Sequence, residues 1–220
     1  MTDAPSIKAK LRTSRRMSIT LRPAIKKHAT KIGEIAWAWN SLHSQFLYLF
    51  MVLADPNDGR VGLTIWHSIS SDKGQREMLV DLAKYRLSKK PKLLSSLIWA
   101  TNNAGELSGL RNAFVHAPVS YKMGPDGNID AMVHSLTATP KHVIKLGSVD
   151  MRKLYRLLRG DLIHLDQYLT GLYFCLTREQ LYSLPKRPSL LSPALFRQSN
   201  SQKHHHRRKP AHRPRPSTSS

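Results

Sequence analysis

The chain has 220 residues and carries 35 Lys and Arg against 14 Asp and Glu, a formal net charge of +21 at neutral pH. Hydrophobic residues make up 40% and charged ones 22%, which is enough apolar surface for a core and excludes wholesale disorder. A single cysteine, Cys175, excludes both an internal disulfide framework and a cysteine-pair zinc site.

The charge is unevenly placed. Residues 1–31 hold nine Lys or Arg against Asp3, residues 197–220 hold seven against no acid, and the stretch between nets only +6. The composition therefore divides the chain into a basic flexible arm over 1–28, a single domain over 29–196 and a disordered basic Ser/Pro/His/Arg tail over 197–220. No apolar run resembles a signal peptide or reaches the length of a membrane span, so a cytoplasmic protein without a membrane span is expected.

In chain order, Ile32, Ile35, Ala36, Trp39, Leu42, Phe46, Leu49, Phe50 and Leu53 recur at helical spacing and predict a helix over about 29–53. Asp55-Pro56-Asn57-Asp58-Gly59 ends it. A short helix follows at about 61–69, and Asp72 is placed as the cap of another that buries Leu79, Leu82, Ala83 and Leu87. Beyond Lys90-Pro91, a long run over 93–116 ends before Pro118. The period then changes to that of a β-hairpin over 119–136, turning at Gly124-Pro125-Asp126-Gly127-Asn128. A last long helix is expected over 149–177. The fold class is a mostly α, antiparallel helical bundle with an inserted hairpin.

Most site patterns are missing. The sequence has no Gly-rich phosphate loop, no HExxH, no GxSxG and no paired carboxylates at metal spacing, so neither a cofactor nor a metal is expected. The distinctive stretch is Arg111-Asn112-Ala113-Phe114-Val115-His116, in the last two turns of the 93–116 helix. Cations there are favoured by the helix dipole, and a terminal His can cap carbonyls, which is one sufficient reading. On an ideal helix Asn112 and His116 share a face, while Arg111 and His116 lie about 140° apart. One chain does not stack the Arg directly over the His; a long Arg side chain, or a second copy of the helix across a two-fold axis, is needed to bring them around one phosphate.

The same hexapeptide resembles the Rx4–6H motif of the HEPN superfamily, in which the motif Arg is often followed by Asn. Arg111, Asn112 and His116 take the motif positions, and the resemblance extends loosely over about 30–178. It implies a helical bundle and a metal-independent endoribonuclease that works as a homodimer. His116 would move a proton at the ribose 2′-hydroxyl or the leaving 5′-oxygen. Arg111 would hold the scissile phosphate, and Asn112 would orient His116 or bond the phosphate. Products would be 2′,3′-cyclic phosphate and 5′-hydroxyl ends. A toxin-like role with an antitoxin-like protein partner fits this class; so does a member that binds RNA or a protein without cutting.

Secondary candidates surround the motif. Tyr121 is the aromatic placed for base stacking and His134 for lining the same cleft, with His142 near it. Arg152, Arg156 and Arg159, at i, i+4 and i+7, either track phosphates or form a solvated face. His43, His67 and His164 read as structural residues, the tryptophans Trp37, Trp39, Trp66 and Trp99 as packing, and Cys175 as a buried small hydrophobe. RNA or another polyanion is the expected partner, attracted by the basic ends.

Overall fold

The computed structural model describes residues 7–54, 59–116, 119–123, 129–133, 151–178 and 183–194. The elements are α1 (Ile7–Ala54), α2 (Gly59–Ser68), α3 (Asp72–Arg86), α4 (Pro91–His116), β1 (Val119–Met123), β2 (Ile129–Val133) and α5 (Met151–Thr177). The fold is mostly helical. The two strands pair antiparallel, from Val119 opposite Val133 to Met123 opposite Ile129, and β2 runs beside α1. Residues 134–136, expected to continue the second strand, lie outside the described residues, as does the tail 197–220.

The core follows from three apolar stripes. Ile35, Leu42, Phe46 and Leu49 on α1, Leu97, Ala100, Ala104 and Leu107 on α4, and Leu154, Leu158, Leu162, Leu165, Leu169 and Leu172 on α5 are essentially without solvent contact. Each buried Leu, Ile or Phe side chain contributes about 1.5–3 kcal/mol on burial. Alanines 100 and 104 let α4 lie close to its neighbours, while α1 and α5 form the most extensive helix pair.

The direction of the helices departs from the antiparallel expectation in one respect. Ser41 donates to Asp166, Glu34 meets Tyr155 and Arg159, and Tyr48 touches Tyr173, so positions rise together and α1 runs parallel to α5. Against α4 the order reverses, with His28 and Tyr155 beside Phe114 and Tyr168 beside Trp99. Three long helices laid up, down and up leave the first and third pointing the same way.

Two boundaries also differ. The basic stretch 7–28, expected as a flexible arm, is the first part of α1, and Pro23 lies inside the helix. Helix-forming Lys, Arg, Leu and Ala dominate this stretch, and it lacks the apolar stripe that announces the rest. Asp72 does not cap α3. Ser71 does, accepting at 3.1 Å from the amide of Gly74, where a Cβ would come within 3.0 Å of the capping hydroxyl oxygen. That frees the Asp72 carboxylate for another use.

After α5 a segment over 183–194, irregular to 191 and helical at 192–194, lies along α5 and reaches the N-terminal end of α4. Asp161, 2% exposed, accepts from the amides of Leu191 and Ser192 and from the Ser192 hydroxyl at 2.6–3.0 Å. Pro185 fits over Gly171, and Arg187 lies over the Trp99 ring and donates to Ser95. Cys175 is buried as expected, its Sγ donating to the Ser183 carbonyl, and burial pushes its thiol pKa up.

Candidate functional site

Arg111 sits on the buried side of α4, because Leu107 at i−4 and Phe114 at i+3 both belong to the apolar stripe. Its side chain therefore enters the bundle and meets α1 and α3. One Arg111 terminal nitrogen donates to Asp72 Oδ2 at 3.0 Å, and the guanidinium lies 4.7 Å from the Trp39 ring centroid. Trp39 in turn donates its indole N–H to the same Asp72 oxygen at 3.1 Å. A buried indole needs such an acceptor, and an arginine over an indole face gains cation–π attraction.

His43 and Arg76 complete the cluster. His43 packs between Trp39 and Trp66, at 6.2 and 5.5 Å between ring centroids, with its Nε2 4.0 Å from Asp72 Oδ1. Arg76 lies on the Trp39 ring at 5.6 Å. Two guanidiniums and one carboxylate leave this part of the interior with a positive excess. Burial, reinforced by Arg76 and Arg111, holds the His43 pKa below its ordinary value against the opposing pull of Asp72, so the imidazole is neutral near pH 7. Burial likewise lowers the Arg76 pKa, with Arg111 adding to it and Asp72 and Glu77 opposing. His43 Nε2, Arg76 Nη1 and Arg111 Nε are all buried without a hydrogen-bond partner among the described residues.

The structure separates the residues of the hexapeptide. His116 is exposed in the last turn of α4 and Asn112 is half-buried, and no hydrogen bond among the described residues joins either to Arg111 or to each other. The ring of Phe114, between them in sequence, is buried against His28 and Tyr155. Within one chain Arg111 has an aspartate and an indole as partners, not His116.

The secondary candidates are also divided. Arg159 is committed to Glu34 on α1 at 2.9 Å, and the same carboxylate accepts from the Tyr155 hydroxyl. Burial and that bond push the Tyr155 pKa up to about 12. Arg152 and Arg156 lie on the exposed face of α5. Tyr121 falls on β1 with its side chain outside the described residues, and His134 and His142 lie outside them altogether. Trp37 is 72% exposed and does not pack, whereas Trp39 and Trp66 are buried.

Sequence reasoning passed over Trp39, His43, Asp72 and Arg76 as site residues. A signal was present, because Trp39 and His43 are four apart on α1 and Asp72 and Arg76 four apart on α3. Each pair projects from one helix face, and the two faces meet Arg111. Among the described residues no group of three or more His, Cys, Asp or Glu is placed to hold a metal ion, and no helix is long and apolar enough to cross a membrane.

No protein-family model, curated protein or solved structure matches the chain.

Proposed function

We propose that the chain is a HEPN-like endoribonuclease that needs no metal, acts on RNA in the cytoplasm and works as a homodimer. The observation that carries this reading is the contrast within the last two turns of α4: Arg111 is fixed by Asp72 and Trp39, while His116 is exposed to solvent. In a dimer whose two α4 ends face each other, His116 of one copy approaches the Arg111 of the other. Arg111, oriented by Asp72, presents its remaining donors to the scissile phosphate and stabilises the charge that develops on it. His116, exposed to solvent, takes the 2′-hydroxyl proton or supplies one to the 5′-oxygen. The bond from phosphorus to the 5′-oxygen breaks as the 2′-oxygen attacks, leaving a 2′,3′-cyclic phosphate. Asn112, beside Arg111, supplies a further donor to the phosphate.

A second reading rests on the Asp72–Arg111 pair itself. A carboxylate bonded to Arg111 offsets part of its charge, which suits a non-catalytic RNA- or protein-binding module held near its partner by the basic ends. Cleavage of a single-stranded RNA in the presence of a chelator separates the two. His116→Ala, an exposed change that leaves the fold intact, is expected to lower the rate about 10²–10⁴-fold. Arg111→Ala is expected to lower it about 10²–10³-fold. Mixing the two inactive variants regenerates about a quarter of the activity if each site takes Arg111 and His116 from different copies, because half of the mixed dimers' sites are whole. An intact RNA with all proteins removes the enzyme reading, and mixing without recovery removes the shared site.

A further inference from the structure

Arg76 is the most unusual charge in the molecule. It is 6% exposed, lies along α3 against Trp39, and its Nη1 has no partner. None of the ion pairs among the described residues includes it, because the nearby Asp72 is already bonded to Arg111 and Trp39. A guanidinium removed from water without an ion pair of its own is unfavourable even with Asp72 and Glu77 nearby, so a protein that keeps one gains from supplying an anion.

Arg76 also lines a groove of about 470 Å³ between α3 and α4, together with Lys73, Lys84, Thr101, Asn102 and Gly105. That volume suits a small ligand. Gly105 opens it, since no atom lies within 4 Å of the position a Cβ would take. The acids on its rim are spoken for: Glu77 pairs with Lys73 at 3.4 Å and Asp81 with Lys84 at 2.8 Å. Rim charges therefore pair with one another, while Arg76 has no ion pair of its own.

We propose that the α3/α4 groove binds a phosphate group, free or terminal on a nucleotide, with Arg76 as the group that holds it. The planar fork of a guanidinium matches two phosphate oxygens, and the exposed Asn102 amide adds a neutral donor at the mouth. The site requires neither Arg111 nor His116 chemistry and stands or falls apart from the nuclease reading.

The test is calorimetric titration of the full chain at constant ionic strength with inorganic phosphate, adenosine 5′-monophosphate and adenosine. Phosphate and the monophosphate are expected to bind saturably and adenosine not to bind. Tighter binding of the monophosphate assigns a nucleotide, and equal affinities assign free phosphate. Arg76→Met is expected to weaken either ligand about tenfold or more while melting, unliganded, no lower than wild type. Gly105→Glu places a competing carboxylate in the groove and is expected to abolish binding, which keeps the test decisive should Arg76→Met fail to fold. Undiminished affinity in these variants would show the basic ends holding the anion and overturn the site, as would absence of saturable binding in wild type.

Discussion

Replacing Asp72 by Ala tests whether the Trp39–Arg111 cluster is held by one carboxylate. The change removes the acceptor of the Trp39 indole N–H and of the Arg111 guanidinium together. A hydrogen bond to a charged group is worth about 1.5–3 kcal/mol. The side chains of Arg111 and Asp72 are 21% and 41% exposed, so solvent screens the pair and the lower end of that range applies. Trp39 is 4% exposed, and its N–H left without an acceptor costs a further 1–3 kcal/mol, roughly. The sum is about 3 kcal/mol, or a fall in Tm of roughly 6–12 °C for a domain of this size. Urea denaturation of wild type, Asp72→Ala, Arg111→Met and the double variant measures both the loss and the coupling. A loss below about 0.5 kcal/mol, or single effects that add to within about 0.3–0.5 kcal/mol, would refute the reasoning.

Other consequences follow from the same contacts. Because the His43 pKa is lowered in the fold, the unfolded chain takes up that proton first, so its contribution to stability is complete above about pH 6.5 and is lost as pH falls below it. His43→Phe keeps a ring between Trp39 and Trp66, and is expected to flatten the decline between about pH 7 and 5 in denaturant titrations. An unchanged decline would place the acid sensitivity elsewhere. Asp161→Ala strands the amides of Leu191 and Ser192, with an expected loss of about 2–4 kcal/mol and faster proteolysis within 183–194. Gly171→Ala drives a Cβ to 2.9 Å from Pro185 and is expected to cost about 1–3 kcal/mol. Gly33→Ala meets open space in α1 and is expected to stabilise by about 0.5–1 kcal/mol, so the two thermal melts move in opposite directions.

What the sequence makes legible is what repeats. The stripes of α1, α4 and α5 recur every three or four residues, and those positions are the buried ones, Leu42, Phe46, Leu107 and Leu162 among them. The helical course of 7–28 was not legible, because a basic segment with no apolar face carries only propensity as its signal. Nor was the segment over 183–194, which is tied down by contacts distant in sequence such as Asp161 to Leu191, 30 residues away. The Asp72 cluster was hidden for a related reason. Its members come from α1, α3 and α4, and no local period connects Trp39 to Arg111.

Helix phase decides how the hexapeptide has to be understood. Arg111 shares a face with Leu107 and Phe114, so whatever packs α4 into the bundle carries its guanidinium inward to Asp72. His116, about 140° further round, is carried outward by the same rotation and is exposed. Turning the helix to bring His116 inward would bring Leu107 and Phe114 out with Arg111. A reaction that uses both residues on one phosphate therefore needs either the reach of the Arg111 side chain away from Asp72 or a second chain, and this is why mixed variants, more than either variant alone, bear on the mechanism. If one chain proves sufficient for cleavage, then either Arg111 leaves Asp72 to reach the phosphate beside His116, or the proton is moved by a group outside the hexapeptide.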